Sequence, residues 1–89
     1  MANPTLPDVT LSNSAYVDIY AITGIPVGTP LIIQNKSTTS FYVQERETAP
    51  SATNIDGNIL QSYGFFLVTP EPPMRCFVRG NGRLTVQIA

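Results

Sequence analysis

Apolar and polar positions alternate through Arg75–Ala89 in two runs that flank Gly80-Asn81-Gly82. Glycine with asparagine tolerates the positive φ angles of a tight turn, so the pattern predicts a closing β-hairpin. With Gly80, Asn81 and Gly82 as the loop, Arg79 faces Arg83, Val78 faces Leu84, Cys76 faces Val86 and Met74 faces Ile88, which makes one side wholly apolar. A shorter loop would set Val78 opposite Thr85 and mix the faces, because a slip of one residue turns every side chain over. The second face then carries Arg75, Phe77, Arg79, Arg83, Thr85 and Gln87.

The same period of two runs through residues 15–22, where Ala15, Val17, Ile19 and Ala21 alternate with Tyr16, Asp18, Tyr20 and Ile22, and predicts a strand there. Residues 23–30 break it with Gly24, Pro26, Gly28 and Pro30. Leu31–Gln34 and Phe41–Arg46 form the next predicted pair, with Leu31 opposite Val43 and Ile33 opposite Phe41 on an apolar face and Ile32 beside Tyr42 on the other. Residues 47–62 read as a long loop with an Asp56-Gly57-Asn58 turn and a short strand or turn near Asn58–Gln61. Tyr63–Thr69 is a dense apolar strand, buried on both faces or covered by a partner on one, and Pro70, Pro72 and Pro73 end it. Residues 1–14, with Pro4 and Pro7, read as an extended arm in which Val9–Leu11 is a possible short edge strand. Such an arm either docks on a neighbour or is a frayed end.

No stretch has the period of an amphipathic helix. Six or seven short strands in residues 15–89 predict an all-β domain, a small antiparallel β-sandwich or barrel, since the strands must stack or curl to bury their apolar faces.

Composition narrows the chemistry. With 89 residues and a single cysteine, the chain makes one small domain without an internal disulfide, a size at which association often adds stability. Cys76 falls on the apolar face, where a thiol acts as a small buried hydrophobe. The absence of histidine removes the usual zinc ligands, the Ser-His and Cys-His nucleophile pairs and the histidine general base. Glu45, Glu47, Asp18 and Asp56 read as solvated carboxylates rather than a hydrolytic pair, and Asp56-Gly57-Asn58 lacks the further oxygen ligands of a calcium loop. Gly24 to Gly28 is no phosphate loop, because no Lys-Ser/Thr follows it and Pro26 removes an N–H. No enzyme, cofactor or metal is expected. A net charge of −1 argues against a nucleic-acid partner, and no apolar run suggests a leader or a membrane span, so synthesis in the cytosol is expected.

Tyr16-Val-Asp-Ile-Tyr-Ala-Ile-Thr-Gly-Ile-Pro-Val-Gly-Thr-Pro-Leu-Ile-Ile-Gln-Asn-Lys-Ser37 and Val78-Arg-Gly-Asn-Gly-Arg-Leu-Thr-Val-Gln87 resemble the small all-β virion proteins of tailed bacteriophages. The resemblance covers most of residues 15–89 and implies a non-enzymatic virion component present in many copies. Proteins of this kind decorate capsids, join head to tail, or serve as tail accessories. The expectation is a capsid decoration protein that binds the major capsid protein or another virion protein as a homo-oligomer, with a trimer favoured. A host-directed binding module is the alternative of another class. The residues expected at its interface are the predicted stripe Arg75, Phe77, Arg79 and Arg83, suited to carboxylates of a neighbour, and the tyrosines Tyr16, Tyr20 and Tyr42.

Overall fold

The alternating runs do become strands, but each is usually followed by a strand of the other sheet. A computed structural model describes residues 7–12, 14–51, 53–54 and 56–89. In chain order the elements are β1 (Val9–Leu11), β2 (Val17–Asp18), α1 (Ile19–Thr23), β3 (Leu31–Asn35), β4 (Phe41–Arg46), β5 (Asn58–Leu60), β6 (Phe65–Val68), β7 (Arg75–Arg79) and β8 (Gly82–Ile88). They build two antiparallel four-stranded sheets in the orders β1-β8-β3-β6 and β2-β7-β4-β5. The expected small β-sandwich is therefore the fold. Only β4 and β5 follow one another within a sheet; every other consecutive pair of strands crosses the core.

That crossing corrects both predicted pairings. β7 and β8 lie in different sheets, with Arg79 opposite Tyr42 and Arg83 opposite Thr10, so Arg79 and Arg83 do not face each other. β3 and β4 are likewise separated: Ile32 lies between Leu67 and Gln87, and Tyr42 lies between Ile59 and Arg79. The alternation holds for Val78, Leu84, Cys76 and Val86, all fully buried, as are Leu31, Ile33, Phe41 and Val43, whereas Met74, expected on the same face opposite Ile88, lies before β7 and is exposed. Inward-facing residues of two stacked sheets point into one interior, so a common apolar face fits an arch across the core as well as a hairpin beside it. Gly80 belongs to such an arch. A Cβ at this position would overlap the Phe41 ring, so glycine is needed here for close approach rather than for a hairpin turn.

Of three further expectations, one changes, one is narrowed and one holds. Residues 15–22 form only the short β2 before the chain winds into α1, because the Asp18 carboxylate accepts from the N–H groups of Tyr20 (3.1 Å) and Ala21 (3.2 Å) and caps the turn. One helical turn is too short to leave a periodic trace. The Tyr63–Thr69 run is buried on one face only: Val68 lies in the core, while Phe65 and Leu67 face outward and are exposed. The possible edge strand Val9–Leu11 does form, as β1, and sends Val9 and Leu11 into the core; the rest of the predicted arm up to Leu6 lies outside the described residues.

Cys76 is fully buried, and burial pushes its thiol up to about 12. Asn35, at the end of β3, is also fully buried yet polar. Its Nδ2 donates to the carbonyls of Thr39 (2.7 Å) and Leu60 (3.0 Å), and its Oδ1 accepts from the N–H and Oγ of Ser37, both at 2.8 Å. Replacing Asn35→Leu would leave those groups without their partner and is expected to lower unfolding free energy by about 2–4 kcal/mol in urea titrations. An unchanged midpoint would show that the amide holds nothing together.

Candidate interaction surface

The outer face of the second sheet carries Tyr42 and Gln44 from β4 and Arg75, Phe77 and Arg79 from β7, which alternate with the core residues Phe41, Val43, Cys76 and Val78. Most of this face is closed. The Arg75 guanidinium forms an ion pair with Asp18 at 2.6 Å, so the carboxylate that caps α1 also holds the start of β7. Arg79 lies over two rings, 5.0 Å from the centre of Tyr42 and 5.7 Å from that of Tyr16, a geometry in which the ring faces attract the cation.

The connection after β4 folds back over this cluster. Tyr16 donates its hydroxyl proton to the carbonyl of Asn54, and Gln44 donates to the Tyr16 hydroxyl (3.1 Å) and to Asn54 Oδ1 (3.2 Å). Gly57, at φ +94°, sits against the Val43 carbonyl, where a Cβ would collide with the backbone. Beneath this cover Tyr16, Gln44 and Phe77 are all buried.

The residues expected at an interface are therefore dispersed. Arg75, Phe77, Arg79, Tyr16 and Tyr42 share the outer face of the second sheet, but Phe77 and Tyr16 present almost no surface and both arginines are engaged within the chain. Tyr20 is a core residue whose hydroxyl donates to the Thr29 carbonyl at 2.6 Å, and burial pushes that hydroxyl up to about 12. Arg83 belongs to the other sheet, exposed on β8 opposite Thr10, where its charge helps to lower the pKa of Asp8.

The outer face of the first sheet is different. Phe65 is 70 % exposed, Leu67 58 % and Ile32 36 %, and the register sets Ile32 directly beside Leu67. Tyr63, 60 % exposed, stands just before β6 with a left-handed backbone (φ 60°). Their strand neighbours on this face are Gln34, Thr85 and Gln87, so the patch carries no charge.

β6 is also a sheet edge. The N–H of Asn35 donates to the carbonyl of Gly64 at 3.1 Å, and antiparallel hydrogen bonding alternates along a strand. Phe66 and Val68 thus turn their backbone groups toward β3, while Phe65 and Leu67 turn theirs to the open side. Both residues present apolar side chains on one face and peptide groups at the free edge. The dense, uncharged run Tyr63–Thr69 was the sequence signal for this surface, because an apolar strand that lies at an edge leaves one face uncovered.

A cleft of about 290 Å³ opens between β1 and α1, lined by Pro7, Asp8, Val9, Thr10, Ile22 and Thr23. Its one carboxylate is already engaged, since Asp8 accepts from Lys36 Nζ at 2.9 Å and from Thr85 at 3.4 Å. Among the described residues no cluster of three acidic or cysteine side chains is placed to hold a metal ion. No family model, curated protein or solved structure matches the chain.

The hydrogen bond from Lys36 holds the Asp8 carboxyl below its ordinary value of 3.8, against a smaller opposing effect of burial. Because the folded-state value is depressed, the stabilisation is complete above the unfolded value and is lost as pH falls through the folded one. NMR titration of the Asp8 carboxyl should give a midpoint below 3.8 in the parent that moves upward in Lys36→Met. The same midpoint in both proteins would mean that the ion pair is not formed in solution.

Proposed function

We propose that the protein is a non-enzymatic structural component of a bacteriophage particle, a capsid decoration protein that binds the shell as an oligomer. The observation that carries this reading is the uncharged apolar face formed by Phe65, Leu67 and Ile32 outside a closed core. A flat face of this kind fits another protein surface better than it fits a small molecule, which needs a concave site to bury most of its area. The strand and turn runs at Tyr16–Ser37 and Val78–Gln87 supply the link to virion proteins by resemblance.

A shell offers many identical sites, so a modest contact repeated by linked copies gives firm attachment without a deep pocket. The proposed partner is the major capsid protein or another virion protein. Arg75 and Arg79 are engaged within the chain and the exposed Arg83 lies on β8 beside β1, away from the β6 edge, so the proposed main source of attachment is apolar contact through β6 and β3 rather than ion pairing.

Quantitative mass spectrometry of purified particles should find the protein at a fixed copy number relative to the major capsid protein, with little loss when the particles are washed in high salt. Absence from particles would overturn the reading and favour a host-directed binding module. Release by salt would return the contact to the charged residues.

A further inference from the structure

The exposed edge of β6 points to a specific occupant. Natural sheet edges are blunted by shortness, by charge, by proline or by a bulge, since an open row of peptide groups invites another strand. The other three edges here are short: β1 and β5 have three residues each and β2 has two. β6 has four residues, Phe65-Phe66-Leu67-Val68, none of them charged, and Pro70 follows only after the strand has ended.

We infer that β6 pairs antiparallel with β6 of a second copy of this chain, about a two-fold axis at Phe66, joining the two first sheets into one eight-stranded sheet. In that register Phe65 of one copy lies opposite Leu67 of the other. These are the residues whose N–H and C=O groups face the open side, so each such pair exchanges two hydrogen bonds.

Their side chains meet on the outer face as aromatic–aliphatic pairs, a favourable cross-strand combination. On the inner face the two Phe66 rings come together at the axis. Phe66 is only partly buried and packs against the core, so the contact would join the edges of the two cores. A two-fold contact brings each residue close to its own copy, where like charges would repel, and this edge has none.

The area sets the strength. The side chains at the edge offer roughly 300–400 Å² of apolar surface per copy. A standard stable contact buries about 800 Å² per partner. The contact is therefore smaller than a standard one; the pair forms weakly and reversibly in solution and is reinforced where copies are held close together on a surface.

Sedimentation velocity of the full chain over increasing concentration should show conversion from monomer to dimer. Leu67→Lys should abolish the dimer and leave the thermal midpoint nearly unchanged, because the side chain lies largely in solvent. On the parent protein, hydrogen exchange at the Phe65 and Leu67 amides should slow at least tenfold between dilute and concentrated samples, a readout that needs no variant.

A chain that stays monomeric at every concentration overturns the inference. So does a dimer that tolerates Leu67→Lys and leaves both amides exchanging freely. Protection of the two amides only on particles, with the free chain monomeric, also overturns it and assigns the edge to a shell protein. The measurement on the free chain needs no particle, so its failure is distinct from failure of the virion reading.

Discussion

The buried amide of Asn35 ties the two sheets together at the point where the chain leaves one and enters the other. It ends β3 in the first sheet, holds the turn that follows through Ser37 and Thr39, and reaches the carbonyl of Leu60 on β5 in the second. An amide that uses both its donors and its acceptor in the interior fits few arrangements, since any other would strand polar groups away from water. Apolar side chains lack that selectivity. The core residues of β3, β4, β7 and β8 would be buried in a hairpin or an arch, whereas the bond from Asn35 to the Leu60 carbonyl joins the first sheet to the second directly.

Once the strands are assigned to sheets, the two outer faces take opposite characters. The second sheet is followed by a long connection that returns over it, and Tyr16, Gln44, Asn54 and Arg79 close the face with hydrogen bonds and ring contacts. No comparable segment covers the first sheet among the described residues, and its β6 edge leaves Phe65 and Leu67 in solvent. Exposed aromatic and aliphatic groups in a contiguous patch commonly mark contact surfaces on small proteins. Ion pairs at the periphery, such as Asp8 with Lys36, contribute little by comparison because solvent screens them.

The all-β class and the inward positions were legible in the sequence because a period of two reports which side of a strand is apolar. The pairing was not. Val78 with Leu84 and Ile33 with Phe41 satisfy the same pattern side by side or across a core, and Gly80-Asn81-Gly82 serves either route. A glycine required by its approach to Phe41 looks the same in sequence as one required by a hairpin. α1 was hidden for another reason: one turn capped by Asp18 falls within an alternating run and breaks it too briefly to be seen. The arginine stripe dissolved with the hairpin that had assembled it, since Arg83 passed to the other sheet while Arg75 and Arg79 found partners nearby. The open surface was partly legible, because Tyr63–Thr69 is too apolar to face water on either side without a reason.

The two outer faces differ in which of them is open to other proteins. Hydroxyl-radical footprinting, read residue by residue on the dilute free chain and on the chain in its native assembly, distinguishes the two faces directly. Phe65, Leu67 and Tyr63 should be oxidised readily in the free chain and protected in the assembly, while Tyr42 changes little. Protection confined to Tyr42 and its neighbours, with Phe65 and Leu67 equally reactive in both states, would contradict the account and place the working surface on the second sheet.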